Sequence, residues 1–249
     1  MKTIAIMQPY FLPYLGYFQL IAAVDKFVVL DDVNFIQRGW INRNRMLMNG
    51  APHLFTLPLR GASQNRLICD LELVDDGAWR NKLLRTLHQA YGRAPYYAQV
   101  SGMLDDMLGF PSVRLDLFLL HSLQLVMRYL GLDTALEPTS RSYGNAGLSG
   151  EQRIIDICRR EGASDYINPI GGVGLYQGAH FEREGIALHF LQSRPVIYPQ
   201  GKNQHISGLS IIDVLMYNAP VAVQHLLKEK DLLQAGPAGA WRAPPSPAI

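Results

Sequence analysis

Three stretches of this 249-residue chain carry side chains whose types and spacing could do chemistry. The first is Gln8-Pro9-Tyr10-Phe11-Leu12-Pro13-Tyr14-Leu15-Gly16-Tyr17. Gln8 offers an amide at the end of an apolar run, and Tyr14 and Tyr17 stand about one helical turn apart around Gly16. A helix beginning there would present free N–H groups and a positive dipole end to phosphate or carboxylate. The plainer reading makes the tyrosines core aromatics with wetted hydroxyls. The second stretch gathers Gln37, Arg38, Asn42, Arg43, Asn44 and Arg45 around Trp40. Guanidinium reads planar oxyanions with two bonds at once, so this is a candidate wall for an anionic or highly hydroxylated ligand. Phe35 and Trp40, interleaved, argue against a fully solvated strand. The third stretch, Pro199 to Ser210, holds Lys202 and His205 as candidates for phosphate or acyl contact, with Ser210 near a helix start. His205 is the foremost candidate general acid or base because it sits in a loop. A polar loop with a serine cap is the structural alternative. Asp31-Asp32 ends an apolar run, and one carboxylate could take a sugar hydroxyl, a metal, an arginine or a turn role. Neighbours in a strand point to opposite faces, which disfavours an acidic dyad.

Gln8, Lys202 and His205 are therefore the candidate catalytic groups, and Tyr14, Tyr17, Asp32, Arg38, Asn42, Arg43, Arg45 and Ser210 the candidate substrate-binding groups. Gln8, Asp32, Arg43 and His205 are expected to line one pocket. No His, Cys and carboxylate spacing suggests a zinc site, and no P-loop, G-x-G-x-x-G or G-x-S-x-G pattern is present. No cofactor is named by the sequence.

Elements must position these groups. Thr3 to Met7 is a short apolar run without alternation, as a strand covered on both faces requires. Pro9 and Pro13 hold the next loop extended, a helix is expected from about Tyr14 to Val24, and Lys26 to Leu30 gives a second, parallel strand. Arg45–Met48 and His53–Leu57 flank Asn49-Gly50, a hairpin signal, and Leu67 to Leu73 alternates as a further strand would. From about 76 to 131 the pattern is helical, broken by Pro95 and Pro111 into three helices, with Leu115 to Leu130 the most apolar. Ser149-Gly150-Glu151-Gln152 predicts a capping box for a helix ending near Arg160, with Gly162 as its stop. Strands at Asp165–Asn168 and Ile186–Leu191 bracket a helix over Leu175–Glu184, and two helices separated near Ala219-Pro220 close Ser207 to Leu233. These readings give an α/β fold, a Rossmann-like parallel sheet with a β-hairpin insertion and a helical block. Residues 1–233 are expected to form one α/β domain with a helical insertion at about 76–131, and 234–249, rich in Pro, Ala and Gly, a disordered tail.

Composition narrows the classes. At 48% hydrophobic and 18% charged residues the chain can bury a full core. A net charge of +2 speaks against wholesale nucleic-acid binding. Cys69 and Cys158, far apart in apolar contexts, read as buried free thiols of a reducing compartment. No apolar run reaches the roughly 18 residues of a membrane helix, and no signal-peptide core opens the chain, so a cytoplasmic protein without a membrane span is expected.

The opening IAIMQPYFLPYLGYFQLIAAVDKFVVLDDVNFIQRGWINRNRM resembles the start of the WbqC-like proteins, and NPIGGVGLY and LSIIDVLMYN are similar to later segments of that family. The resemblance runs to about Leu233. Met7 departs from it, because many members carry His before Gln-Pro; a catalytic role of that His would be missing here. The family implies bacterial gene clusters for surface-polysaccharide or specialised-metabolite assembly. A more remote similarity is to HxGH nucleotidylyltransferases. Tyr14-Leu15-Gly16-Tyr17 takes the HxGH place and Ile206 to Ile212 that of the ISSTxIR motif, with Tyr for both His and Ile212 for Arg. Together these imply a transferase handling an activated nucleotidyl or acyl intermediate. Its partner would be an anionic small molecule (a nucleotide, sugar nucleotide or acyl donor), with a carrier protein as a further candidate. The alternative is a non-catalytic binding or scaffold module for a carrier protein or glycan enzyme.

Overall fold

Strand β1 (Thr3–Met7) lacks polar alternation because both its faces are covered: Ile4, Ala5 and Ile6 are buried. In this computed structural model, which describes residues 1–235 and the backbone of 241–242, β1 lies mid-sheet. Pro9 and Pro13 keep the chain extended, and α1 (Leu15–Ile21) begins only past the second proline. Strand β2 (Lys26–Val29) returns parallel to β1, Ile6 opposite Val28. The hairpin of β3 (Arg43–Met48) and β4 (Ala51–Thr56) turns at Asn49 and Gly50, whose φ of 51° and 76° are those of a type I′ turn. A short ribbon follows, β5 (Leu59–Arg60) with β6 (Glu72–Leu73). Helices α2 (Ala78–Tyr91), α3 (Tyr97–Gly109) and α4 (Leu115–Tyr129) form the helical block. Then β7 (Ala135–Glu137), α5 (Gly150–Arg160), β8 (Asp165–Pro169), α6 (Gly178–Arg183) and β9 (Ala187–Ser193) restore the alternation. The chain closes with α7 (Ile211–Tyr217), α8 (Pro220–Leu226), β10 (Lys230–Ala235) and β11 (Trp241–Arg242).

The main sheet runs β7-β2-β1-β8-β9-β10-β11. Its first five strands are mutually parallel and its last two pair antiparallel. The order reverses between β1 and β8, so the crevice beyond the carboxyl ends of those strands is where an open α/β sheet receives ligands. One face packs Ala5, Phe27, Val29, Ile167 and Leu191 against residues of α1, α2, α3, α4 and α7 in a single core. The other face packs Ile4, Ile6, Val28, Tyr166, Leu188 and Phe190 against Ile154 and Ile157 of α5 and Phe181 of α6. Among the described residues no helix is long and apolar enough to cross a membrane.

Some local expectations are corrected. The expected capping box of Ser149 and Gln152 is not formed: Ser149 is the N-cap of α5, yet its side chain makes no cap bond, while Glu151 between them accepts from the Gln177 N–H and His180. Leu67 to Leu73 gives an isolated bridge of Leu67 to Asn34, a 3-10 turn at Ile68–Asp70 and a strand of only two residues. The backbone there is claimed by Val33 and Asp31, whose carbonyls accept from Ile68 and Cys69. Residues 230–235 leave the helical register because Leu232 and Leu233 pair with Leu191 and Phe190 of β9. The expected tail therefore starts inside a strand, and 236–240 and 243–249 lie outside the described residues.

One ion cluster fastens the far end of the sheet. The Glu161 carboxylate accepts from Lys2 (2.6 Å), Lys26 (2.7 Å) and the Tyr143 hydroxyl (2.6 Å). Burial pushes this carboxyl up, and the three donors outweigh it, holding it at about 2 against an ordinary 4.5. A carboxyl depressed on folding stabilises fully above its unfolded value and loses that contribution as pH falls through the folded one. Glu161→Gln is expected to lower the unfolding free energy in urea by about 2 kcal/mol at pH 7. The gap to wild type should close as pH drops from 4.5 towards about 2.

Candidate functional site

Among the described residues Leu12 is one of three non-glycine residues with positive φ, at 47°. Such a conformation persists only where neighbours over-determine it. Here the Leu12 carbonyl accepts from the Ser210 hydroxyl (2.8 Å) and from Asn44 Nδ2 (2.7 Å). The Ile211 N–H donates to the Pro13 carbonyl (2.9 Å), and the Ser210 N–H to the Arg45 carbonyl (2.8 Å). Tyr14 and Ser210 form an antiparallel bridge. The same Ser210 oxygen accepts from the Ile212 N–H at 3.3 Å and so caps α7. The proline loop, β3 and the segment before α7 are thus sewn together at one point.

Beside this seam lies a cavity of about 470 Å³, bounded by the start of α1, the loop after β9 and the segment before α7. Its wall is mostly apolar: Leu15, Pro195, Val196, Ile197, Leu209 and Val214, with Tyr14 at the edge. A β-carbon at Gly16 would collide with the Tyr14 ring and the Ser193 hydroxyl, so only glycine lets α1 approach this wall. The polar lining is Ser193, Arg194, Ser207, Gln19 and His205. Arg194 is already paired with Asp231.

His205 Nδ1 lies 3.2 Å from the Tyr198 carbonyl. A carbonyl only accepts, so Nδ1 carries the proton, and in the neutral ring Nε2 is an acceptor. That Nε2 is buried and meets no protein donor. The loop carrying His205 is braced from beneath by Asp213, which is fully buried. Asp213 accepts from the hydroxyls of Tyr198 (2.8 Å) and Tyr91 (3.0 Å) and from Gln200 Nε2 (2.6 Å). Gln200 Oε1 in turn accepts from the Ile206 N–H (2.7 Å). Burial raises the Asp213 carboxyl above its ordinary range, against the pull of those hydrogen bonds. The arrangement supplies an apolar chamber, one imidazole nitrogen able to take a proton, and a rigid support behind it.

The sequence candidates fall in several places. Tyr14 and His205 line the cavity. Arg45 reaches its edge, where Nη2 donates to the Gly208 carbonyl (3.4 Å), while Arg43 Nε donates to Gly39 (2.8 Å). Both guanidiniums lie against Trp40, 5.8 and 5.3 Å from the ring centroid. Trp40 is 42% exposed, so the shielding expected of it is not seen. Arg38 is exposed, and Asn42 Nδ2 fastens the hairpin to the Leu57 carbonyl (2.8 Å). Tyr17 is buried with its hydroxyl on the Gln8 carbonyl (2.8 Å). Asp32 is locked by Arg153 (2.6 and 2.7 Å) in a cluster that also holds Asp31, Ser140 and Arg141. Lys202 is exposed on the turn before His205, and Ser210 is buried in the seam. Of the four residues expected in one pocket, His205 alone lines this cavity; Arg153 holds Asp32 elsewhere, and Gly39 holds Arg43. Gln19 and Asp213 escaped sequence reading, although each is a lone polar residue in an apolar helix, LGYFQLI and IIDVLMY.

The WbqC-like protein family model matches residues 8–225. An uncharacterized protein of Mycobacterium tuberculosis, Rv1507c, is 29% identical over 170 residues, 68% of this chain and 72% of that protein. No solved structure matches the chain. Asp213→Ala would strip the acceptor from three buried donors. It is expected to cost about 3 kcal/mol or more in urea unfolding and to speed hydrogen exchange at the Ile206 amide.

Proposed function

The chain belongs to the WbqC-like protein family, and on that premise we propose a transferase that handles an activated nucleotidyl or acyl intermediate in bacterial surface-polysaccharide or specialised-metabolite assembly. The observation that carries this reading is His205: the residue lines the cavity, its Nδ1 proton is committed to the Tyr198 carbonyl, and its Nε2 is buried without a protein donor. An acceptor hydroxyl or amine at Nε2 would give up its proton there as its oxygen or nitrogen bonds to the acyl carbon or phosphorus. The bond to the leaving group breaks in the same displacement. The Tyr198 carbonyl and the buried Asp213 would stabilise the imidazolium that forms. Arg45, at the cavity's edge, would offset charge on an anionic donor, and Tyr14 would cover it. Gln8, Arg43 and Lys202, outside the lining, would act only on parts of the substrate that extend beyond the cavity.

The second reading is a non-catalytic binding module for a carrier protein or glycan enzyme. It is favoured by one fact: the guanidinium lining the cavity, Arg194, is already compensated by Asp231. Thermal-shift and calorimetric screens against nucleotides, nucleotide sugars and pantetheine-bearing carriers supply the ligand, and turnover is then followed with it. His205→Gln is expected to reduce turnover by about 100-fold or more while affinity changes little. Binding without turnover, unchanged by this substitution, would select the binding-module reading.

A further inference from the structure

The hairpin has one satisfied edge and one open edge. Along β3 the outward backbone groups are met from elsewhere in the chain. The Ser210 N–H donates to the Arg45 carbonyl (2.8 Å), and the Leu47 N–H to the Tyr91 hydroxyl (2.9 Å). Arg45 and Leu47 thus turn their backbone groups away from β4, and bonding in an antiparallel ladder alternates. Their opposite residues, Leu54 and Pro52, and Thr56 in the same alternation, turn theirs away from β3. Among the described residues nothing pairs with that side of β4. Open strand edges are ordinarily guarded by charge, proline or a bulge. Here residues 46–59 include no Asp, Glu, Lys or Arg, and Pro52 guards only the end next to the turn. Leu54, 47% exposed, stands in the middle of the open edge.

Beside this edge runs a groove of about 370 Å³ between β4 and the first turns of α2. Phe55, Trp79 and Leu83 give it an apolar floor, and His53, Lys82 and Thr86 border it. The floor is held in place: Trp79 Nε1 donates to the Val74 carbonyl (2.8 Å), and its ring meets that of Phe118 edge-on at 5.9 Å. Among the described residues no carboxylate lines the groove to offset Lys82. We propose that groove and open edge together form a peptide-binding site, where an extended segment of a partner protein adds a third strand to the hairpin. Its backbone pairs with both groups of Leu54, both of Thr56 and the Pro52 carbonyl. Alternate side chains of a strand share one face, so those on the α2 side lie over Phe55, Trp79 and Leu83 and are apolar. An acidic side chain of the segment meets Lys82. A second copy of this chain fits less well. Its β4 would bring Phe55, buried in its own core, and its own α2 to the place where the first copy's α2 stands. A free extended segment carries no such layer. The site shares no lining residue with the cavity beside α1, so it stands whether or not the transferase reading does.

The probe is a synthetic peptide chosen by display of short random peptides on the full wild-type chain. It is compared with two twins, N-methylated at alternate residues in one frame or the other, which keep the side chains and remove the N–H groups. The selected sequences are expected to alternate apolar residues and to carry one acidic residue. One frame of N-methylation should weaken binding at least about tenfold and the other little. The peptide should slow hydrogen exchange at the Leu54 and Thr56 amides. Leu54→Pro repeats the outward proline the strand already carries at Pro52, and Thr86→Arg fills the groove without touching the edge. Each should weaken binding at least about tenfold while the urea unfolding midpoint stays close to that of wild type. The proposal is overturned if no peptide is selected, if both N-methylated twins bind as the parent does, or if the protected amides lie away from β4. Unchanged binding in both variants overturns it as well. A concentration-dependent dimer that Leu54→Pro abolishes would give the edge to a second copy and overturn it too.

Discussion

The structure of the site depends on a single backbone carbonyl, that of Leu12. A leucine with positive φ is unfavourable in isolation, and two donors from distant parts of the chain hold it there: Asn44 from the hairpin and Ser210 from the cap of α7. The carbonyl therefore sets three things together. It fixes where α1 begins, how the hairpin leans over the sheet, and where α7 starts. The cavity is the space left between those elements once they are joined, which is why its wall comes from the N-terminal and C-terminal parts of the matched region.

Charge is spent inward in this protein. The arginines that in sequence suggest an anion site are largely committed to carbonyls and carboxylates: Arg43 to Gly39, Arg45 to Gly208, Arg153 to Asp32 and Arg194 to Asp231. Arg80 likewise donates to the carbonyls of Phe110 and Ser112 and closes the turn between α3 and α4. Such bonds exchange hydration for neutralisation at close range and leave little free positive potential. The chamber beside α1 is accordingly apolar, and the guanidinium that lines it, Arg194, is already matched by Asp231.

Much of the fold was legible in the sequence because its signals are local. An unalternating run marks β1, two prolines delay α1, Asn-Gly turns the hairpin, and prolines separate three helices. The site was legible only in part, because the fate of a polar side chain depends on who meets it. Asp32 reads as a ligand group until Arg153, 121 positions away, claims it. Trp40 reads as shielded, yet stands at the surface with two guanidiniums against it. Ser149 has Gln152 three places on, as a capping box asks, yet its side chain makes no cap bond. Tyr14 and His205, on segments that meet across the seam, both line the cavity. Gln19 and Asp213 drew no notice because one polar residue does not disturb an apolar helical pattern, and their meaning lies in partners more than a hundred residues apart or in a network built by folding.

The amide of Gln19 is a conjugated group, so its two ends are not independent. Hydrogen bonding at the oxygen shifts electron density away from nitrogen and makes the N–H bonds better donors. Those N–H bonds hold the carbonyls of Leu226 and Glu229, the join between α8 and the antiparallel edge of the sheet. One amide of α1 thereby fastens the last helix and the strand after it to the start of the chain. One planar side chain makes the placement of α1 and the rigidity of the chain's far edge parts of the same equilibrium.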